Sequence, residues 1–257
     1  MMVKFIVLAL VIGFVVAQVA NLFTTVYLHR CLSHRACTVR PIAAVGFRAF
    51  LWLSTGLKQR EWVAVHRKHH AFTDVEGDPH SPILLGTARV QMTNAALYRR
   101  VARDGVTVTK YSRDLQPDRL DRWFFDRAFL GLGVGITMLC LGAWWATDSL
   151  WQGVVYGFLA AAIHMGVYLM LSGAVNATGH VYGKRPFPND ATNQRWLALL
   201  TAGEGWHNNH HALPTSARLG LRKWEIDFGW WTIAALRRLH LATVRQVRNP
   251  LESVSGA

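Results

Sequence analysis

His66-Arg67-Lys68-His69-His70 places three imidazoles at positions i, i+3 and i+4. On a helix of about 3.6 residues per turn these share one face, one turn apart. Neutral imidazole is the commonest metal ligand, so a single helical turn offering three of them is half of a metal site. The spacing recurs in His207-Asn208-Asn209-His210-His211, and a looser pair, His29 and His34, flanks Arg30-Cys31-Leu32-Ser33. Eight of the 12 histidines lie in these three windows. One triplet alone would read as a solvated helix face; the repeated spacing argues for metal. A ninth, His180, follows Asn176 at i+4, on the same helix face. His80, His164 and His240 stand outside the clusters and read as ordinary hydrogen-bonded or solvated histidines.

Nine neutral imidazoles are more than one ion needs, and two ions with about five ligands each fit better. Zinc sites are usually closed by four ligands, so the excess argues against structural zinc. Imidazole-rich coordination suits iron, copper or zinc. A redox metal pair beside an apolar interior suggests oxygen chemistry on a lipid chain. That chemistry requires an apolar tunnel that excludes water and holds one carbon pair near the metals.

The elements that must position these residues belong to a membrane protein. Hydrophobic residues make up 51% of the 257 and charged residues 17%, with the charge concentrated between apolar runs. Spans are predicted over residues 3–28, 128–146 and 150–171. The first reads as a retained helix ending at His29, because no small-residue cleavage site precedes the polar stretch. The short link at Thr147-Asp148-Ser149 implies a helical hairpin, with Trp144, Trp145 and Trp151 as an aromatic belt. Residues 41–57 are apolar but carry Arg48. A span there would separate His29 and His34 from His66–His70, so this segment is expected in the interface plane or re-entrant. His29 and His34 would point about 140° apart on a regular helix, so the helix must end or distort between them if both bind metal. The expected fold is all-α and integral to the membrane: about three transmembrane helices, interfacial helices and a cytoplasmic helical cap. One domain spans 1–249, and 250–257 form a disordered tail.

Seventeen of the 28 Lys and Arg residues fall between His29 and Arg127, ten after Leu171, and none in the hairpin link. The positive-inside rule then puts every histidine cluster on the cytoplasmic side of a cell (inner) membrane. A net charge of +13 could suggest nucleic acid, but the basic residues flank apolar runs and no nucleic-acid motif is present. Anionic headgroups or a phosphate-bearing substrate are the expected partners instead. Cys31, Cys37 and Cys140 are too few for a disulfide framework and read as small fillers in a reducing compartment. A metal-transport role would require polar residues along the spans, which carry almost none.

The three boxes resemble the eight-histidine signature of the membrane fatty-acid desaturases. More closely, Glu61-Trp62, His66-Arg67-Lys68-His69-His70, Asp78-Pro79-His80, Asn176 with His180, and Gly203-Glu204-Gly205-Trp206-His207-Asn208-Asn209-His210-His211 resemble the acyl-CoA (stearoyl-CoA, Δ9-type) desaturases, over nearly the whole chain. The resemblance implies a non-haem di-iron centre held by His29, His34, His66, His69, His70, His180, His207, His210 and His211, with Asn176 acting through water. It implies a cis double bond made in a long acyl chain with O2 and two electrons. No protein residue beyond the metal centre is then catalytic. A hydroxylase or ketolase sharing the site is the alternative. Arg99-Arg100 resembles a basic pair that meets carrier phosphates in those enzymes, and a headgroup-facing patch explains it equally. Trp62 and Trp206 either line the tunnel or pack at the interface.

The chain departs from that family in three places. Only one span precedes His29, which leaves open a short variant or a start further upstream. Ala64 replaces a basic residue before the middle box, which leaves the acyl carrier open. No cytochrome b5-like domain follows the last box, so the expected electron donor is a separate ferredoxin, rubredoxin or cytochrome b5-like protein with its reductase.

Overall fold

The computed structural model describes residues 2–245, so the predicted tail lies outside the described residues. In chain order the elements begin with α1 (Met2–Phe23), which runs into a π-helical segment (Thr24–Ser33). Then come β1 (Cys37–Val39), α2 (Pro41–Ser54) and α3 (Gln59–Ala71). The short α4 (Pro82–Leu85), α5 (Thr87–Ala102) and α6 (Gly105–Tyr111) lead to the hairpin α7 (Ala128–Thr147) and α8 (Leu150–Ala177). A 3-10 turn (Thr178–His180), α9 (Arg195–Leu200), α10 (His207–Ala212), α11 (Phe228–Arg238) and β2 (Ala242–Val244) complete the chain. The architecture is all-α apart from one antiparallel ribbon that pairs Cys37 with Val244 and Val39 with Ala242.

Among the described residues three stretches are long and apolar enough to cross a membrane: Met2–Ser33, Ala128–Thr147 and Leu150–His180. The first and third outrun the predicted spans. At 28 residues, α8 extends about 42 Å. That exceeds a hydrocarbon core of about 30 Å, so its last turns carry Asn176 and His180 clear of the lipid. The 14 residues of α2 reach only about 21 Å and cannot cross. Arg48 on α2 is neutralised by Asp118 at 2.7 Å and Asp121 at 2.7 Å. His164, inside α8, donates from Nε2 to Ser54 O at the end of α2 at 2.6 Å, the structural hydrogen bond expected of it.

The spanning helices meet through small residues, as helices must where lipid offers no hydrophobic drive between them. A Cβ added at Gly13 on α1 would lie 2.5 Å from Ala160 O on α8. One added at Gly157 on α8 would lie 2.5 Å from Cys140 Cα on α7.

The distortion expected between His29 and His34 is the π segment. Its bonds run i to i+5, as in His34 N–H to His29 O at 3.1 Å, so residues five apart come into register. The two rings lie 4.9 Å apart. Buried Arg30 holds this segment to the cap, donating to Asp227 Oδ2 at 3.0 Å and Ala217 O at 2.9 Å. Asp227 also caps α11, accepting from Trp230 N–H at 2.9 Å, and so starts that helix at Phe228. Cys31 and Cys37 are not fillers. The winding carries Cys31 to the start of β1, and the two are joined in a disulfide with Cα atoms 4.7 Å apart.

Replacing Gly13 with Ala should overpack the α1–α8 contact and cost about 1–3 kcal/mol. The expected result is a lower unfolding temperature in detergent; an unchanged midpoint would contradict the close approach.

Candidate metal centre

Four elements deliver nine imidazoles to one place. The π segment supplies His29 and its C-cap is His34, α3 supplies His66, His69 and His70, the 3-10 turn supplies His180, and α10 supplies His207, His210 and His211. They sort into two groups whose ligand atoms lie within 4.8 Å of one another: His29, His34, His66, His70 and His210, and His69, His180, His207 and His211. The two triplets interleave. Each gives its i, i+4 pair to one group and its i+3 member to the other. The groups touch where His70 and His211 stack, with ring centroids 4.4 Å apart.

Carboxylates orient the rings. Glu204 lies 2.7 Å from His29 Nδ1, Asp74 lies 2.7 Å from His180 Nδ1, and Asp78 lies 3.0 Å from His69 Nδ1. An Nδ1–H donated to a carboxylate leaves Nε2 as a bare lone pair, the arrangement of a ligating histidine. These lone pairs converge. His29 Nε2 is 3.0 Å from His210 Nε2, and His180 Nε2 is 3.0 Å from His207 Nε2. His69 Nε2 is buried with no hydrogen-bond partner. Converging lone pairs without intervening protons repel, and a cation between them removes the repulsion. The donor set therefore fits two metal ions.

Burial disfavours the charged form of the rings carried by α3 and α10. It drives His66, His69, His207 and His210 well below the usual histidine range, and neighbouring imidazoles add to the shift. His70 is pushed down to about 3, again first by burial. Neutral imidazole is the form that binds metal.

Both groups border a cavity of about 390 Å³. His29, His66 and His207 reach its wall, Phe129, Leu132 and Leu169 make an apolar part, and Lys58, Arg99 and Arg103 a basic part. Trp62 lines it and stacks on His66 with centroids 5.0 Å apart. Asn176 lines it too, donating from Nδ2 to Asn94 Oδ1 at 2.9 Å.

Three expectations change. Arg100 does not reach the cavity; Arg103 does, because residues four apart share a helix face while adjacent ones point about 100° apart. Trp206 does not line the tunnel. It is buried behind His207, donating from Nε1 to Ile226 O at 2.8 Å with Trp224 against its edge. His80 is not an ordinary histidine. It is buried, stacks on His69 at 4.6 Å, and its Nδ1 lies 4.0 Å from Asp78 Oδ1 without a hydrogen bond among the described residues. His240 is exposed, as expected. The orienting roles of Asp74, Asp78 and Glu204 were missed, because a carboxylate that holds a ring keeps no fixed spacing to it.

The sequence profile described as fatty acid desaturase matches residues 5–249. The chain belongs to the fatty acid desaturase family. It is 32% identical over 241 residues to Delta-9 desaturase-like 5 protein of Arabidopsis thaliana, covering 91% of this chain and 76% of that protein. Delta-9 acyl-lipid desaturase 1 of the same organism is 32% identical over 254 residues, covering 95% and 77%. The sn-1 stearoyl-lipid 9-desaturase of Synechocystis sp. is 30% identical over 238 residues, covering 89% and 68%. This desaturase is thus an oxidoreductase of lipid acyl chains, set in a membrane, with histidine groups suited to metal.

The depressed histidines set a pH dependence. Each folded ring takes its proton at lower pH than the unfolded side chain, near 6.5. Between those values the unfolded chain binds more protons, so stability rises with pH. Metal-free protein should lose stability steadily as pH falls below about 6.5, and bound metal should be released over the same range. Thermal unfolding and metal retention between pH 8 and pH 5 check this; stability that rises on acidification would overturn it.

Proposed function

We propose that this desaturase introduces a cis double bond into a long acyl chain, using O2, two electrons and two irons held by the nine histidines. The observation that carries the reading is the pair of converging imidazole groups opening onto one partly apolar cavity. The reaction balances as R–CH2–CH2–R′ + O2 + 2 e⁻ + 2 H⁺ → R–CH=CH–R′ + 2 H2O. Iron bound at the two groups would supply the activation of O2.

The chain's own residues bind and position. Phe129, Leu132 and Leu169 hold methylenes and exclude water, while Trp62 fences the methylene pair against the histidines. Asn176, held by Asn94, orients a water toward the four-histidine group. Arg99, Arg103 and Lys58 meet phosphate at the mouth. Ala64 is wholly buried where acyl-CoA enzymes carry a base, and two relatives are named as acting on lipid-linked chains, so the carrier is a lipid rather than CoA. The domain is single over 1–249. Electrons come from a separate ferredoxin, rubredoxin or cytochrome b5-like protein. The histidines face the cytoplasm from the inner membrane, with α2 in the interface plane.

Expression in a host lacking its own desaturase, with an electron donor supplied, should yield a new monounsaturated fatty acid by gas chromatography–mass spectrometry. His69→Ala and His210→Ala should abolish that product and lower bound iron while leaving membrane insertion intact. Full activity in either variant refutes the ligand assignment, and a hydroxylated or keto product replaces desaturation with oxygen insertion. Tags in the 147–149 link should be accessible from outside the cell and tags at the C-terminus only from the cytoplasm; the reverse pattern overturns the orientation.

A further inference from the structure

Arg67 lies between two proposed ligands, His66 and His69, yet its guanidinium contacts neither ring. Nε–H donates to Ser33 O at 2.9 Å. Nη2 donates to Leu32 O at 2.8 Å and Asp114 Oδ2 at 3.1 Å. Nη1 donates to Tyr111 O at 2.9 Å and Asp114 Oδ1 at 2.5 Å. Those bonds account for the whole donor fork of an arginine. Leu32 and Ser33 end the π segment, where helix carbonyls lack partners further along the chain. Asp114 also pairs with Arg35 at 2.6 Å, and Arg35 follows His34 with a left-handed φ of 51°. The clamp thus closes around the one residue between them, His34.

We infer that Arg67 is a positioning residue for the five-histidine group alone, fixing the end of the π segment against α3 so that His34 meets His66. This rests on the reading that both groups bind metal. His34 Nε2 lies 2.8 Å from His66 Nε2, and no residue of the π segment belongs to the four-histidine group. Loss of the clamp frees His34 and leaves the other group intact. Lysine cannot replace it, because an ammonium is a point donor and cannot span two carbonyls of one turn together with a carboxylate on the other side.

The test uses the full chain in detergent, stripped of metal and titrated with Co²⁺, whose visible absorption reports each imidazole site. Wild type should take up two ions. Arg67→Lys and Arg67→Met should keep one at wild-type affinity and weaken the other about 10–100-fold, the range for losing a residue that orients a ligand. His34→Ala should give the same one-site signature. Asp114→Asn, which spares the carbonyl bonds, should give a smaller one-site loss and decides the matter should Arg67→Met fail to fold. Two ions at unchanged affinity in Arg67→Lys would overturn the inference, as would parallel weakening of both, which marks a general structural role. A wild type that takes up no Co²⁺ instead removes the metal reading, a distinct outcome.

Discussion

Nine imidazoles pressed together is the constraint on which the remaining structure depends. Each must keep Nε2 free of a proton, point it inward and tolerate lone pairs about 3 Å away. Exposed, these rings would titrate near neutral pH and turn outward. Burial removes the charged form, and Glu204, Asp74 and Asp78 take Nδ1–H and so set ring orientation. At His29, His69 and His180 the carboxylate decides which nitrogen the buried ring presents inward.

That requirement explains the unusual features of the scaffold. A regular helix would turn His34 away from His29, and the π winding brings it back. Such winding is costly alone. It is held by buried Arg30 with Asp227, by the Cys31–Cys37 disulfide and by Arg67 with Asp114. An α8 cut to bilayer length would stop short of His180; its extra turns carry that residue beyond the lipid to its partners. In the membrane, glycines let α1, α7 and α8 approach closely, so the delivered ends are held rigidly.

The cavity follows from the same arrangement. Its wall is shared by the spanning helices and by the histidine-bearing elements, so one space is apolar beside α7 and α8 and polar toward α5. A chain with a charged carrier at one end and methylenes along its length matches that gradient. Membership of the fatty acid desaturase family agrees with the shape.

Much of the fold and of the histidine clustering was legible in the sequence because it depends on local periodicity. Apolar runs set the spans, and i, i+3, i+4 spacing put each triplet on one helix face. The need for distortion between His29 and His34 was also visible, though not its π form. Other features depended on packing between segments distant in the chain. The sorting of triplets between two groups, the carboxylates behind His29, His69 and His180, the replacement of Arg100 by Arg103 at the cavity, the withdrawal of Trp206 and the burial of His80 all arise where separate elements meet. Sequence alone determined which side chains could bind metal, because that is a property of residue type and helical phase. Only the tertiary structure decided which of them gather into one group and what orients them, because those distances exist only after α3, α10 and the ends of α1 and α8 have packed together.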